Sequence, residues 1–447
     1  MNKSQFFFKA LDRVVVIFLV ILIGLICYTI YRSEVLYDGL YRDYYLKYYI
    51  FLISSLFVLT VVNFLNEKIK SKIYVTLIFL IVVLYVWETL LIDFQNLNSK
   101  TKYQYYMDIK QKQDVVMAIY PSNYVLKNVN QKKLFPLSGI SKKLTILCKK
   151  KENNKFITYK SDRYGFRNKD INWDKEYADF VLLGDSFVHG SCVASNKTIG
   201  SQLTKISKDI FNKKVNTINL GFGGNGPLIE YATLKEYAKY IEKKIVLYVF
   251  TESNDFSDLH RELKDPFLKK YLDDKFQQKL INKQFDIDEI NHSVLEQEIK
   301  KQQNLGLYNF IKLNNLRTSI RKLLYTKSKL RSFEYSEKLY QSYNQILINL
   351  KKLTQNQNAE FYFVYLPYVL RFSSDDYGPN YQIYSRVMSM VKELNIKYID
   401  IQGIVISEHN DPLSIFELRK GQHLNEAGYK FVAETIIKEI NQTEKEN

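Results

Sequence analysis

Gly184-Asp185-Ser186 follows the apolar run Phe180-Val181-Leu182-Leu183, so a hydroxyl stands where a buried strand would turn into a helix. A serine at such a turn can attack an ester, and its own N–H, at the helix start, points where a developing oxyanion could accept a hydrogen bond. Glycine, aspartate and serine are also ordinary turn and cap residues, so the triplet needs company. A nucleophilic serine needs a base. The chain has five histidines, at 189, 260, 292, 409 and 423. His189 follows Ser186 too closely to reach its hydroxyl, and His260 and His292 fall in a polar stretch. His423, in Gly421-Gln422-His423-Leu424-Asn425-Glu426-Ala427-Gly428-Tyr429, precedes the last amphipathic helix and is the preferred base. His409, in Glu408-His409-Asn410-Asp411, is the runner-up.

Two more strand ends carry unusual polar loops. Asn219-Leu220-Gly221-Phe222-Gly223-Gly224-Asn225-Gly226-Pro227 lets backbone amides approach a ligand, and it lacks the lysine of a phosphate-binding P-loop. Thr251-Glu252-Ser253-Asn254-Asp255 offers a neutral amide donor after an apolar strand, with Asp255 read as structural. Taken in order, Gly184-Asp185-Ser186, Gly224, Asn254 and His423 resemble the four blocks of the SGNH (GDSL-like) hydrolases. The resemblance spans about residues 179–440 without an insertion. It implies a flavodoxin-like α/β/α sandwich with a parallel sheet, Ser186 as nucleophile, His423 as base, and an oxyanion hole from Ser186, Gly224 and Asn254. Asp162-Arg163-Tyr164-Gly165-Phe166-Arg167-Asn168 is similar to a segment preceding the nucleophile strand in membrane-linked relatives, including those acting in exopolysaccharide acetylation.

Two departures matter. Glu252 stands where many members have glycine before Asn-Asp. The aspartate usual two or three residues before the histidine is replaced by Gly421 and Lys420, leaving Asp400, Glu417 or Asp411 to support His423, or a Ser-His dyad. The implied chemistry is hydrolysis or transfer of an acyl, foremost acetyl, ester through an acyl-enzyme, with no cofactor or metal. The alternative is a non-catalytic, membrane-tethered glycan-binding or assembly protein on the same scaffold.

To bring these residues together, the chain must supply strands and helices in alternation. Apolar runs predict strands at Phe180–Leu183, Val215–Leu220, Ile245–Phe250, Phe361–Leu366 and Lys397–Ile401. Helical periodicity marks Gly200–Phe211, Leu228–Ile241, Glu337–Leu353, Tyr381–Leu394 and Glu426–Ile440. An insertion over about 258–333, with a helical patch at Leu307–Leu324, is too long for a simple crossover and reads as a lid, a docking surface or a solvated decoration. Residues 95–178 read as a connector with some local structure, and 179–447 as the hydrolase-like domain.

Residues 1–94 are different in kind. Uncharged runs at about 14–31 and 48–65, and a third at 73–92 interrupted only by Glu88, predict three membrane spans. Lys3, Lys9 and Arg13 before the first, and Lys68, Lys70 and Lys72 in the second loop, predict cytoplasmic placement for those segments and an extracytoplasmic catalytic part. Of the formal +17, residues 1–100 hold ten Lys/Arg against seven Asp/Glu, so +14 lies beyond them. An acidic surface is a fitting neighbour. No recognition-helix, RNP or finger pattern accompanies the charge, and the expected location disfavours nucleic acid as a partner. The expected partners are an acylated carbohydrate or other ester, the membrane, and a membrane acyl donor. Cys27 lies in a span; Cys148 and Cys192 form no disulfide framework or zinc-ligand spacing, and one disulfide between them stays open, with nothing in their spacing to argue for it.

Overall fold

A computed structural model describes residues 3–39, 41–98, 100–125, 134–175, 177–211, 215–238, 242–323, 335–373 and 381–446. The chain divides into two compact units, residues 1–98 with 304–326, and residues 99–303 with 327–447.

In the first unit, helix α1 (Lys3–Ile30) with the π-helical turn Tyr31–Leu36 that continues it, α2 (Arg42–Asn63) and α3 (Glu67–Asn98) contain three stretches long and apolar enough to cross a membrane: Val15–Leu36, Arg42–Asn63 and Glu67–Leu91. Their large apolar side chains are mostly exposed, with a small buried contact among Val15, Val62 and Tyr74. A face that would aggregate in water is ordinary in lipid.

The second unit begins where a connector was expected. Helix α4 (Lys102–Lys110) and strands β1 (Val115–Met117), β2 (Leu144–Lys149) and β3 (Phe156–Lys160) form a helix and a small three-stranded sheet, β1 parallel and β3 antiparallel to β2. Tyr106, Phe135, Leu137 and Ile146 share one core with the main sheet. Strands this short carry too little period-two pattern to be read from sequence.

The main sheet has β4 (Tyr177–Leu183), β5 (Thr217–Asn219), β6 (Glu242–Phe250), β7 (Glu360–Tyr365) and β8 (Lys397–Asp400), all parallel, in the order β5-β4-β6-β7-β8. That is the flavodoxin-like order 2-1-3-4-5, whose switch point lies beside the first strand. Alternation in β6 shows why the sheet is covered on both faces: Ile245, Leu247 and Val249 enter one core, while Val246, Tyr248 and Phe250 enter the other. Helix α5 (Ser186–His189) is a single turn after β4, and α6 (Ile199–Phe211) packs with the last helix, α15 (Glu426–Glu446). Helices α7 (Pro227–Tyr237), α8 (Asp255–Glu262), α11 (Glu337–Gln355) and α13 (Tyr381–Glu393) cover the opposite face. Between α8 and α11, the insertion forms α9 (Gln284–Ile311) and α10 (Asn314–Leu323); α12 (Leu370–Ser373) and α14 (Ile401–Glu408) follow β7 and β8.

The Asp162–Asn168 segment is a bolt between the small sheet and the main one. Buried Asp162 accepts from Tyr164 N and Phe166 N at 2.9 Å, Asn168 Nδ2 at 2.8 Å and Trp173 Nε1 at 2.7 Å. Asn168 Nδ2 also donates to Asn219 O at 3.0 Å and its oxygen accepts from Asn219 N at 2.8 Å, extending the end of β5. Burial pushes the Asp162 carboxyl up to about 6 in spite of these donors. Asp162→Ala strands four donors and should destabilise the unit by about 3 kcal/mol or more. Asp162→Asn, still an acceptor, should lose less; equal melting temperatures for the two variants, followed by tryptophan fluorescence of the full chain, would contradict this account.

Candidate active site

Beyond the carboxyl ends of β4, β5 and β6 the three polar loops converge. Gly184 sits at φ +156, and a Cβ there would fall 2.5 Å from Val188 Cγ2, so the turn that delivers Ser186 requires glycine. Asp185 caps α5 by accepting from Phe187 N at 2.9 Å. Its other oxygen accepts from Asn254 Nδ2 at 3.0 Å and lies 3.3 Å from Ser186 Oγ. Phe222 N donates to Gly184 O at 3.3 Å, tying the glycine loop to the serine turn. Gly226 N donates at 2.6 Å, and Leu228 N at 3.0 Å, to the Glu262 carboxylate on α8.

His423 arrives from the far end of the chain. Its Nε2 lies 2.8 Å from Ser186 Oγ, a contact between residues 237 apart in sequence. The loop before α15 is a tight reversal in which Glu417 N donates to His423 O at 3.0 Å, with Leu418 at φ 51 and Arg419 at φ 59 in the turn. Two successive non-glycine residues with positive φ are uncommon, and here they place Glu417 across from His423. Asn425 pins the other side, donating to Ser414 O at 2.7 Å and Phe416 O at 3.1 Å and accepting from Gly428 N at 3.0 Å in the first turn of α15.

The three carboxylates named from sequence have different fates. Asp400 caps α14 through Gly403 N at 2.9 Å and accepts from the Tyr384 hydroxyl. Exposed Asp411 is held by two 2.8 Å bonds from Arg419. Glu417 is the one that acts on His423 electrostatically, and Lys151 reaches its Oε2 at 3.2 Å. Among the described residues no carboxylate is hydrogen-bonded to His423 Nδ1. Burial lowers the His423 pKa below the ordinary imidazole value, Glu417 opposes this, and Lys151 adds to it. A neutral imidazole near pH 7 follows, the state that can take a proton from Ser186.

Asn254 sits beside the serine turn, yet both its amide hydrogens are engaged, to Asp185 at 3.0 Å and Asp258 at 2.7 Å. An amide has two N–H bonds, so an oxyanion at Asn254 must displace one carboxylate. Gly224, at φ +75, lies against Ser122, whose hydroxyl donates to Gly223 O at 3.2 Å. His189 is buried beside the rings of Tyr120, Tyr159 and Phe222, and burial holds it neutral; His409 sits in a surface turn, its Nδ1 accepting from Asp411 N at 3.1 Å.

Several contributors escaped sequence reading. Buried Arg167 donates to Gly190 O and Val193 O at 2.7 Å and to His189 O at 3.1 Å, shaping the loop after α5. Cys192 in that loop is disulfide-bonded to Cys148 at the end of β2, across a Cα separation of 5.7 Å. The bond fastens the β2–β3 turn, with Lys150 and Lys151, beside the site. Lys150, Glu152, Ser191, Cys192, Glu417 and His423 line a cleft of about 380 Å³. Glu252, placed where the resemblance has glycine, forms a buried ion pair with Arg371 at 2.5 Å and accepts from Tyr365 Oη at 3.0 Å. It braces β6 against the segment after β7.

Under the loops lies a set of buried acids. Burial drives the pKa of Asp185 up; it takes Asp258 to about 6 and Glu262 to about 8, and raises Glu230 and Asp255 well above the ordinary range. Folded values above unfolded ones mean that this contribution to stability is full below about pH 4 and is lost as pH rises through 6 to 8. Glu230→Gln, which removes a carboxyl with both oxygens buried and unpartnered, should raise the melting temperature at pH 8.5, on the order of a few degrees. It should change little at pH 4, and an equal shift at both pH values would refute the assignment.

No family model and no curated protein sequence matches the chain. Among solved structures it is similar to a lipolytic protein of the G-D-S-L family from Desulfitobacterium hafniense, at 12% identity, 58% coverage of this chain and 98% of that one, and TM-score 0.32. It is also similar to a lipase/acylhydrolase from Enterococcus faecalis (10% identity, 60% and 96%, TM-score 0.34) and to an acetylxylan esterase from Geobacillus stearothermophilus (13% identity, 60% and 96%, TM-score 0.33). The parallel five-stranded order, rather than these scores, defines the fold.

Proposed function

We propose that this chain is a membrane-anchored serine esterase or O-acyltransferase of the SGNH kind, acting on an acyl, foremost acetyl, ester of an envelope or exported glycan. The observation that carries the reading is the 2.8 Å approach of Ser186 Oγ to His423 Nε2. His423 takes the Ser186 proton as Oγ attacks the ester carbonyl carbon. The tetrahedral oxyanion collapses, the bond to the alcohol breaks, and the imidazolium returns its proton to the departing oxygen. Water or an acceptor hydroxyl, deprotonated by His423, then attacks the acyl carbon; the bond to Ser186 Oγ breaks and the imidazolium returns the proton to Oγ. Water makes the reaction a hydrolysis, and a sugar hydroxyl makes it a transfer. Glu417 stabilises the imidazolium, and Ser186 N, Gly224 and Asn254 are the oxyanion donors, Asn254 after release from Asp258. A catalytic unit outside the cytoplasm agrees with the basic residues flanking the first two spans and with the Cys148–Cys192 disulfide. There a membrane acyl donor and a glycan acceptor are both within reach.

A second reading has one observation in its favour. With Asn254 held by two carboxylates and no acid bonded to His423 Nδ1 among the described residues, the scaffold also suits a tethered glycan-binding or assembly protein that performs no turnover.

The deciding experiment is p-nitrophenyl acetate hydrolysis by the full-length protein in nanodiscs. Ser186→Ala and His423→Ala should each lower kcat at least 1000-fold and abolish fluorophosphonate labelling. Wild-type protein that neither turns over nor is labelled leaves the binding-protein reading. A competing sugar hydroxyl that diverts acyl groups from water marks a transferase.

The pH profile tests the electrostatics separately. The acid limb of kcat/KM should lie below the ordinary imidazole pKa, since burial and Lys151 favour the neutral ring. Lys151→Met should move that limb to higher pH and Glu417→Gln to lower pH. Limbs that do not move, or that move the other way, would remove Glu417 and Lys151 from the mechanism.

A further inference from the structure

Glu88 lies within the third apolar stretch, Glu67–Leu91, and is fully buried there. Its carboxylate accepts three N–H bonds from the first turn of α10: Asn315 N at 3.0 Å, Asn315 Nδ2 at 2.9 Å and Leu316 N at 2.7 Å. A carboxylate at a helix start meets both the orphan donors and the positive end of the dipole. Three residues earlier on α3, and so on the same face, Tyr85 Oη donates to Ile311 O at 2.9 Å, while its ring lies 5.1 Å from that of Phe310. Leu313, at φ 49, makes the sharp turn between α9 and α10. The α9–α10 corner is therefore clipped to the third span at two points. An ionisable residue inside an apolar span is expensive unless it is partnered, and the partners of Glu88 come from this corner.

The level of the clip sets what the corner meets. Glu88 is three residues, about 5 Å, from the end of the apolar stretch. Its neighbour Trp87 is exposed, as belt aromatics are at a bilayer boundary. Around the clip the corner presents exposed Tyr308, Ile311 and Ile320, with Lys312 and Arg317 also exposed. Apolar groups with interleaved basic ones are what a helix lying in the headgroup region needs.

We propose that the α9–α10 corner is an interfacial membrane element: Glu88 and Tyr85 hold it at the bilayer edge, Ile311 and Ile320 enter the acyl boundary, and Lys312 and Arg317 meet lipid phosphates. The polar insertion thus returns to the bilayer and adds an anchor to the three spans, independently of any catalytic role.

The test uses full-length Cys27→Ser protein, its disulfide intact, in nanodiscs of phosphatidylcholine with phosphatidylglycerol. An environment-sensitive fluorophore is placed on a single cysteine at Ile320 or, on the opposite side of α10, at Thr318. The probe at 320 should be quenched by a nitroxide near the top of the lipid acyl chain and at least threefold less by aqueous iodide than the probe at 318. Equal iodide quenching at both sites would overturn the proposal. So would shielding of position 320 from both quenchers, which would mean that a protein surface covers it. In Glu88→Gln, which keeps the side-chain shape, iodide quenching at 320 should rise at least threefold in monodisperse protein. Tyr85→Phe, which loses only the bond to Ile311 O, should raise it in the same direction. No rise in either variant would overturn the clip.

Discussion

The Asp185 carboxylate is the contact on which the geometry of the Ser186 turn depends. It is buried at the end of β4, and a buried carboxylate is tolerated only when its lone pairs are met. Phe187 N meets one, which starts α5 and fixes the serine turn. Asn254 Nδ2 meets another, which draws the loop after β6 onto the same point. Asn254 also reaches Asp258, and Glu262, one turn further along α8, receives the N-terminus of α7. Three loops from three strands are thus joined by acids facing one another beneath the serine, with Glu230 and Asp255 completing the set. Burial keeps these groups inclined toward protonation, which relieves their mutual repulsion. The arrangement holds the Ser186 turn rigidly in a polar setting.

Much of this was legible in the sequence because periodicity is local. The five main strands and their covering helices appear close to the expected positions, since alternation across a sheet and the 3.6-residue repeat are properties of neighbouring residues. The strand-end loops were legible for the same reason, each standing at the close of an apolar run. What pairs with what is not local. The fastening of Cys192 to Cys148 depends on a Cα distance that their 44-residue separation does not encode. The relation of Glu417 to His423 depends on a turn through Leu418 and Arg419, which neither residue type advertises. Arg167 was visible in a motif, but its carbonyl partners exist only after the loop has folded. The short strands at 115–160 had too few residues for a pattern, so a segment integral to the core read as a connector.

The insertion shows the same limit from another side. Its composition is polar and its middle is helical, which fits a solvated decoration. Glu88 stands in the sequence only as the one charge in the third apolar stretch, near enough to its end to reach an interface. The partners are the backbone amides of Asn315 and Leu316 and the Asn315 side-chain amide, a pairing that sequence spacing does not select in advance.

That return has a consequence for how the molecule is made. Glu88 and Asn315 are 227 residues apart, and the ribosome completes the three apolar helices long before the α10 helix exists. At about 5–20 residues per second the interval is roughly ten to forty-five seconds. Throughout it the third apolar stretch lacks the α10 donors that Glu88 holds in the folded chain. Packing of the first unit is therefore completed only after residues 99–303, most of the second unit, have been synthesised.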